Sequence, residues 1–172
     1  QYSWFMSRLG SDYRILGVDV KEEQVEDCNR FFKLLGKGGQ VYFREADLTR
    51  YKEDSAYDLI LSVDVMEHIE EDRKVFQNFF ASMVPGGMLL ISTPSDKGGS
   101  DAHDHGGEGI SGFIDEHVRD GYSPEDISEK LKSVGFKDID CRYSYGVPGH
   151  ISWILTMKTP ILLLNKSKLF FI

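Results

Sequence analysis

The shortness of the last linker limits the possible folds of this chain most. Two apolar runs, residues 136–143 and 151–158, are separated by only the seven residues 144–150. A parallel crossover takes a dozen or more residues, so two strands joined this way must lie antiparallel. Everything before them has room for crossovers. Short apolar runs alternate with helical patterns of about a dozen residues, which is the signature of a parallel sheet covered on both faces. The expectation is an α/β fold, a doubly wound and mostly parallel sheet closed by a C-terminal antiparallel hairpin.

The individual elements follow from periodicity and punctuation. Residues 14–19 form a short apolar run ending in Asp19, and residues 21–35 place Val25, Cys28, Phe31, Phe32 and Leu35 at helical spacing. Gly36 to Gly39 stops that helix, and residues 40–44 read as a second strand ending near Asp47. Residues 57–62 are a third strand. Residues 71–83 form an amphipathic helix with Val75, Phe79, Phe80 and Met83 inward, halted by Pro85-Gly-Gly87, and residues 88–93 form a fourth strand. Residues 94–112 are rich in Gly, Asp, Ser and His, and a loop of that length is usually functional. Ser123-Pro-Glu-Asp126 then carries a capping serine, a proline at the first helical position and first-turn acids, so a helix runs from there to Val134.

Three segments, in their order and spacing, carry a family pattern: Ile15-Leu-Gly-Val-Asp-Val20; Glu45-Ala-Asp-Leu48; and Tyr57-Asp-Leu-Ile-Leu-Ser-Val-Asp-Val-Met-Glu-His-Ile69, leading to Val84-Pro-Gly-Gly-Met-Leu-Leu-Ile-Ser-Thr-Pro94. Together they resemble the class I S-adenosylmethionine-dependent methyltransferases, in particular the type 11 group, from the first residue to about Lys158. The resemblance implies a Rossmann-like methyltransferase fold, S-adenosylmethionine as cofactor, S-adenosylhomocysteine as product, and in-line methyl transfer to a small-molecule or lipid-like acceptor. It implies that Asp19, with Val20, binds the ribose hydroxyls, an acid offering two acceptors to two donors. Asp47 then receives the adenine amino group beside the Leu48 backbone. Ser62 and Val63 lie under the methionine portion, at the carboxyl edge where open sheets bind ligands.

The candidate bases are His68 and His117, with His103 and His105 of the loop behind them. Methyl transfer is achieved largely by alignment of two reactants, so a dedicated base is not required. Asp64, Glu67 and His68 stand at i, i+3 and i+4 and would share one side of a helical turn. With Asp101, His103 and His105 they resemble a metal-binding arrangement, but such clusters are more often a solvated face and no metal is expected. Arg119 and Tyr122 are candidates for contact with the acceptor, Arg119 equally for surface pairing with Asp115 or Glu116. Tyr143, Tyr145, His150 and Trp153 are candidates to line an apolar pocket or, as commonly, to pack the core.

The family's first strand and its glycine-rich loop do not appear, and the helix suggested by Tyr2, Phe5, Met6 and Leu9 is what should follow them. Residues 1–158 are therefore expected to be a methyltransferase domain lacking its central first strand, in a longer protein. Residues 159–172 are expected to be a separate apolar segment. Its runs Ile161 to Leu164 and Leu169 to Ile172 are too short to span a bilayer, leaving docking on the domain or peripheral membrane contact. A net charge of −8 argues against a general nucleic-acid partner. Cys28 and Cys141, far apart in sequence, suggest reduced thiols and a cytoplasmic location. Two rival readings are a catalytically silent binding subunit and a nicotinamide-dependent dehydrogenase, which would end in parallel strands.

Overall fold

The computed structural model describes residues 1–97, 118, 119, 121–144, 146, 149, 151, 152, 155 and 156. A short helix, α1 (Tyr2–Met6), precedes β1 (Ile15–Asp19), and α2 (Glu22–Leu34) carries the chain to β2 (Val41–Glu45). β1 and β2 pair in parallel, Ile15 opposite Val41 and Asp19 opposite Glu45. Apolar periodicity sets the packing: Ile15, Phe32 and Val41 are buried together with Met6 and Phe43 against them. The Phe32 and Phe43 rings stack at 5.8 Å. The Asn29 side chain donates to the Phe43 carbonyl at 2.9 Å and accepts from its N–H at 2.7 Å, satisfying both backbone groups of that residue.

The second half repeats the plan. β3 (Tyr57–Val63) leads through a 3-10 turn (Met66–His68) to α3 (Asp72–Ser82), which runs directly into β4 (Met83–Ser92). The pair is parallel, with Leu59 to Val63 opposite Met88 to Ser92. α4 (Pro124–Val134) starts at Ser123, whose hydroxyl accepts from the Asp126 N–H, and ends at Gly135 in the left-handed conformation. Met66, Val75, Phe76, Phe79, Tyr122, Ile127 and Leu131 form the buried cluster, and Ile60, Leu89 and Ile91 press one face of the β3–β4 pair onto it.

Among the described residues β1 pairs only with β2 and β3 only with β4, so no ladder joins the two halves. The β3–β4 face turned away from α3 and α4 is apolar and open, with Leu59 45%, Met88 58% and Leu90 48% exposed. A doubly wound sheet covers such a face with a second helical layer. The parallel pairs with crossover helices agree with the expected α/β class.

Several expectations are corrected. β4 begins at Met83, not 88, because Tyr57 already pairs with Met83 and the Pro-Gly-Gly stretch is absorbed as a register irregularity. On α2, Phe31 is 50% and Leu35 46% exposed, leaving Val25 and Phe32 as the buried positions. On α3 the buried position is Phe76 rather than Phe80. The closing hairpin is not formed in the described residues. Residues 136–144 carry no strand, and Ile151 and Ser152 lie in a helical segment. That expectation rested on reading both apolar runs as strands across a short linker, and an apolar run of this length reads equally as helix.

Candidate functional site

The ends of β1 and β2 bring the expected nucleoside-binding residues to one edge. Asp19 closes β1, and its backbone carbonyl accepts from the Ala46 N–H at 2.9 Å, drawing the start of the next loop alongside. Its carboxylate accepts at Oδ1 from the Lys21 N–H at 2.9 Å, and Oδ2 has no hydrogen bond among the described residues. Val20 beside it is 62% exposed, an apolar surface next to an acid. Asp47 caps its own turn, with Oδ1 accepting from the N–H and the hydroxyl of Thr49, each at 2.8 Å. Those bonds hold the Asp47 carboxyl below its ordinary range, and among the described residues its Oδ2 faces only the distant Arg50 at 4.0 Å. Asp47 is thus a turn cap with one carboxylate oxygen to spare. The carbonyl of Leu48 is held by the Asn78 side chain at 2.8 Å.

At the end of β3 the side chains part company. Ser62 points into the core, 4% exposed, and its hydroxyl has no hydrogen-bond partner among the described residues. Any contact of Ser62 with a ligand at the edge therefore falls to its backbone. Val63 is half-buried. Asp64 is exposed and left-handed, φ 50°, with its N–H donating to the Ser92 carbonyl at 2.9 Å. This kink rules out a single helical turn through residues 64–68, so Asp64, Glu67 and His68 do not share one solvated side. Glu67 is turned inward, 2% exposed, and accepts from the Thr93 hydroxyl at 3.1 Å. His68 is partly exposed, with Nε2 3.9 Å from the Glu67 carboxylate.

The most heavily bonded group at this edge is one the sequence did not single out. Asp72, the first residue of α3, is 5% exposed, and its Oδ2 accepts from Tyr122 at 2.8 Å, from Lys130 at 2.8 Å and from Arg119. Burial pushes the Asp72 carboxyl up, but the Lys130 and Tyr122 bonds and the Arg119 charge outweigh it, and it titrates below its ordinary range. Arg119 also donates to the carbonyls of Ile69 and Glu70, and the Tyr122 ring centre lies 5.1 Å from the Arg119 guanidinium and 4.9 Å from the Lys130 ammonium. Arg119 and Tyr122 are therefore partners of Asp72 rather than free acceptor contacts. Asp72 escaped notice because an acid in a first helical turn is ordinarily solvated; only burial distinguishes it. Tyr143 donates to Asp96 at 2.9 Å, fastening the segment after α4 to the end of β4. His117, Asp101, His103, His105, Asp115, Glu116, Tyr145, His150, Trp153 and residues 159–172 lie outside the described residues.

The edge residues suit an adenosyl group. Asp19 and Asp47 each keep a carboxylate oxygen open toward hydroxyl or amino donors, and Val20 offers apolar surface between strand end and solvent. Parallel strand pairs joined by crossover helices belong to the Rossmann-like α/β class, whose ligands bind at the carboxyl edge. A family profile described as "Methyltransferase domain" matches residues 1–87, just over half of the chain. The chain belongs to this family of S-adenosylmethionine-dependent methyltransferases.

It is similar to phosphoethanolamine N-methyltransferase 1 of Triticum aestivum, 28% identical over 130 residues, which are 74% of this chain and 24% of that protein. It is also similar to a ubiquinone biosynthesis O-methyltransferase of Rickettsia felis, 24% identical over 81 residues, 47% of this chain and 32% of that protein. Among solved structures it shares its fold with the 4+2 cyclase SpnF, with a TM-score of 0.63 at 18% identity, covering 81% of this chain and 49% of that one. The chain thus spans about a quarter of the length of the phosphoethanolamine N-methyltransferases it matches.

Proposed function

We propose that the protein carrying this domain transfers a methyl group from S-adenosylmethionine to a small-molecule or lipid-like acceptor. The observation that carries the reading is the end of β1, where Asp19 keeps an open carboxylate oxygen beside exposed Val20 at the carboxyl edge. Bound cofactor would supply an electrophilic methyl group on a sulfonium. The chain's own contribution is alignment: Asp19 toward the ribose hydroxyls, Asp47 Oδ2 and the Leu48 backbone toward the adenine, and the backbone of Ser62 and Val63 below the methionine end. Holding two reactants in line supplies most of what such a transfer needs. His68, at the rim of this edge and held beside Glu67, is the candidate base among the described residues.

Among the described residues β1 pairs only with β2 and β3 only with β4, and this, together with the exposed Leu59, Met88 and Leu90, favours a pocket completed by one further strand and a covering helix. A central strand would pair backbone groups at those edges that meet no strand among the described residues. The relatives' names point to N-methylation of phosphoethanolamine and to an O-methylation in ubiquinone biosynthesis, so both acceptor classes belong in a first panel. Fold alone does not imply the reaction, since a cyclase shares it.

The test is calorimetric titration of S-adenosylhomocysteine into residues 1–172 and into a form extended upstream. Methyl transfer from labelled S-adenosylmethionine to phosphoethanolamine and to a polyprenylated phenol is then measured. Binding by the extended form with turnover of one acceptor supports the proposal. Binding without turnover of any acceptor favours a catalytically silent subunit, and no binding by either form overturns the reading.

A further inference from the structure

We propose that Asp72 is a positioning residue for the acceptor side of this pocket, acting through Arg119 and Tyr122 on the turn that carries Glu67 and His68. The inference rests on the methyltransferase reading for its function, but the clamp itself stands on geometry. Val118 and Tyr122 reach the carboxyl edge by three backbone hydrogen bonds. The Val118 N–H donates to the Glu67 carbonyl at 3.0 Å, and Tyr122 exchanges bonds with Pro94 at 3.0 Å and Asp96 at 3.2 Å. The two Tyr122 bonds make a parallel bridge between Tyr122 and Ser95. Gly121 lies so close that a Cβ there would stand 2.5 Å from the Pro94 carbonyl oxygen.

The side chains of Arg119 and Tyr122 converge on a single carboxylate. Tyr122 donates to Asp72 and to the Met66 carbonyl at 3.3 Å, while Arg119 joins Asp72 to the Ile69 and Glu70 carbonyls. Lys130 brings α4 to the same oxygen and also pairs with Asp126 at 3.1 Å, so two cations meet two carboxylates and the cluster is charge-balanced. Val118, Arg119 and Tyr122 thus each bond a backbone carbonyl within residues 66–70. Asp72 does not touch Glu67 or His68 itself; it holds the two side chains whose bonds brace their backbone. Asp72 is the one acceptor that Arg119, Tyr122 and Lys130 share, so its loss uncouples the three from one another, although each keeps a second partner.

The decisive experiment compares the full-length protein with its D72N and Y122F variants by hydrogen–deuterium exchange, by S-adenosylhomocysteine titration and by the ring resonances of His68, assigned with H68Q. The expected result is that D72N lowers protection about tenfold at residues 66–70 and 118–122, with β1, α2 and β2 unchanged. The His68 ring signals should shift while S-adenosylhomocysteine affinity stays within about threefold, because the nucleoside acids sit on the other strand pair. Y122F, which deletes one donor and leaves the ion pairs, should give the same pattern at reduced size and serves if D72N does not fold. Unchanged exchange at 66–70 and 118–122, unmoved His68 signals, or a loss of protection spread evenly over both strand pairs would overturn the proposal. Absence of S-adenosylhomocysteine binding by the unsubstituted protein would instead overturn the methyltransferase reading, and the exchange data would still decide the clamp.

Discussion

The Thr93 hydroxyl donates to the carboxylate of Glu67 at 3.1 Å, joining the residue just past β4 to the turn just past β3. Both ends meet where parallel strands deliver their chains to the carboxyl edge, so this bond sets the spacing of that edge. Glu67 is 2% exposed. A buried carboxylate deprived of a donor bears a desolvation cost that solvent cannot relieve. Thr93→Val keeps the shape and removes the donor, and is expected to lower unfolding free energy by about 1–3 kcal/mol. Urea denaturation should show a lower midpoint at unchanged slope, and an unaltered midpoint would mean that Glu67 has another sufficient partner.

Gly121 adopts φ 146°, and an added Cβ would stand 2.5 Å from the Pro94 carbonyl oxygen and 2.6 Å from the Ser95 carbonyl carbon. Both clashing atoms are backbone, so no side-chain rotation relieves them, and the conformation itself disfavours an L side chain. Gly121→Ala should cost about 1–3 kcal/mol and raise exchange at residues 94–96 and 118–122. A substitution without effect on either would show that the two segments do not approach so closely in solution.

The parallel halves were legible because their cause is local. Alternating apolar runs, the helix-stopping Gly36 and the Ser123 cap each announce an element within a few residues. Asp19 and Asp47 could be placed for the same reason, since each ends a strand or caps a turn whose sequence is self-contained. The interior position of Glu67 could not, because Asp64 takes a left-handed conformation that breaks the assumed helical turn. Asp72 and Arg119 stand 47 residues apart and are joined only by tertiary packing, a relationship no periodicity records. The hairpin failed for the opposite reason: apolar runs flanking a short linker fixed its topology only if both runs were strands.

Ser62 is 4% exposed, and its hydroxyl has no hydrogen-bond partner among the described residues. An unmet hydroxyl in an apolar core is a liability, so Ser62→Ala should leave stability unchanged or raise it by up to about 1 kcal/mol. S-Adenosylhomocysteine affinity should also be unaltered, since only the backbone of Ser62 is available to a ligand at the edge. Thermal unfolding with and without the nucleoside separates the two claims, and a marked loss of affinity would mean that the side chain turns outward when ligand binds.

Stability should fall at both ends of the pH scale, for different groups. The Asp72, Asp47 and Glu53 carboxyls lie below their ordinary values, Asp72 through its Lys130 and Tyr122 bonds against burial, Asp47 through Thr49 and Glu53 through Arg44. Their contribution is present above the unfolded value of about 4 and is lost as pH falls through the lower folded values. Tyr122 and Tyr57 are raised, in each case first by burial and then by hydrogen bonds, from Asp72 for Tyr122 and from Tyr51 and Glu53 for Tyr57. Their contribution is full below about pH 10 and is lost as pH rises above it, where the unfolded chain ionises first. Denaturation midpoints across pH should therefore form a plateau with two limbs. D72N should flatten the acid limb and Y122F the alkaline one; limbs untouched by either variant would place the titrating groups elsewhere.

Asp19 and Asp47 allow a graded test of the nucleoside site because each spends Oδ1 locally and keeps Oδ2 open. Asp19→Asn preserves an oxygen for the Lys21 N–H, so the unliganded protein should melt at an unchanged temperature. It removes the charge that strengthens bonds from two ribose hydroxyls, and S-adenosylhomocysteine affinity should fall about 10- to 100-fold. In Asp47→Asn the amide group takes the place of Oδ2 and confronts the adenine amino group donor to donor. One neutral contact is lost there instead of a charged pair, so the fall should be about 3- to 10-fold. Titration of both variants in the upstream-extended protein checks the order. Equal losses, or a larger loss for Asp47, would mean that the ribose does not rest on β1, and retention of full affinity by both would move the nucleoside off this edge altogether.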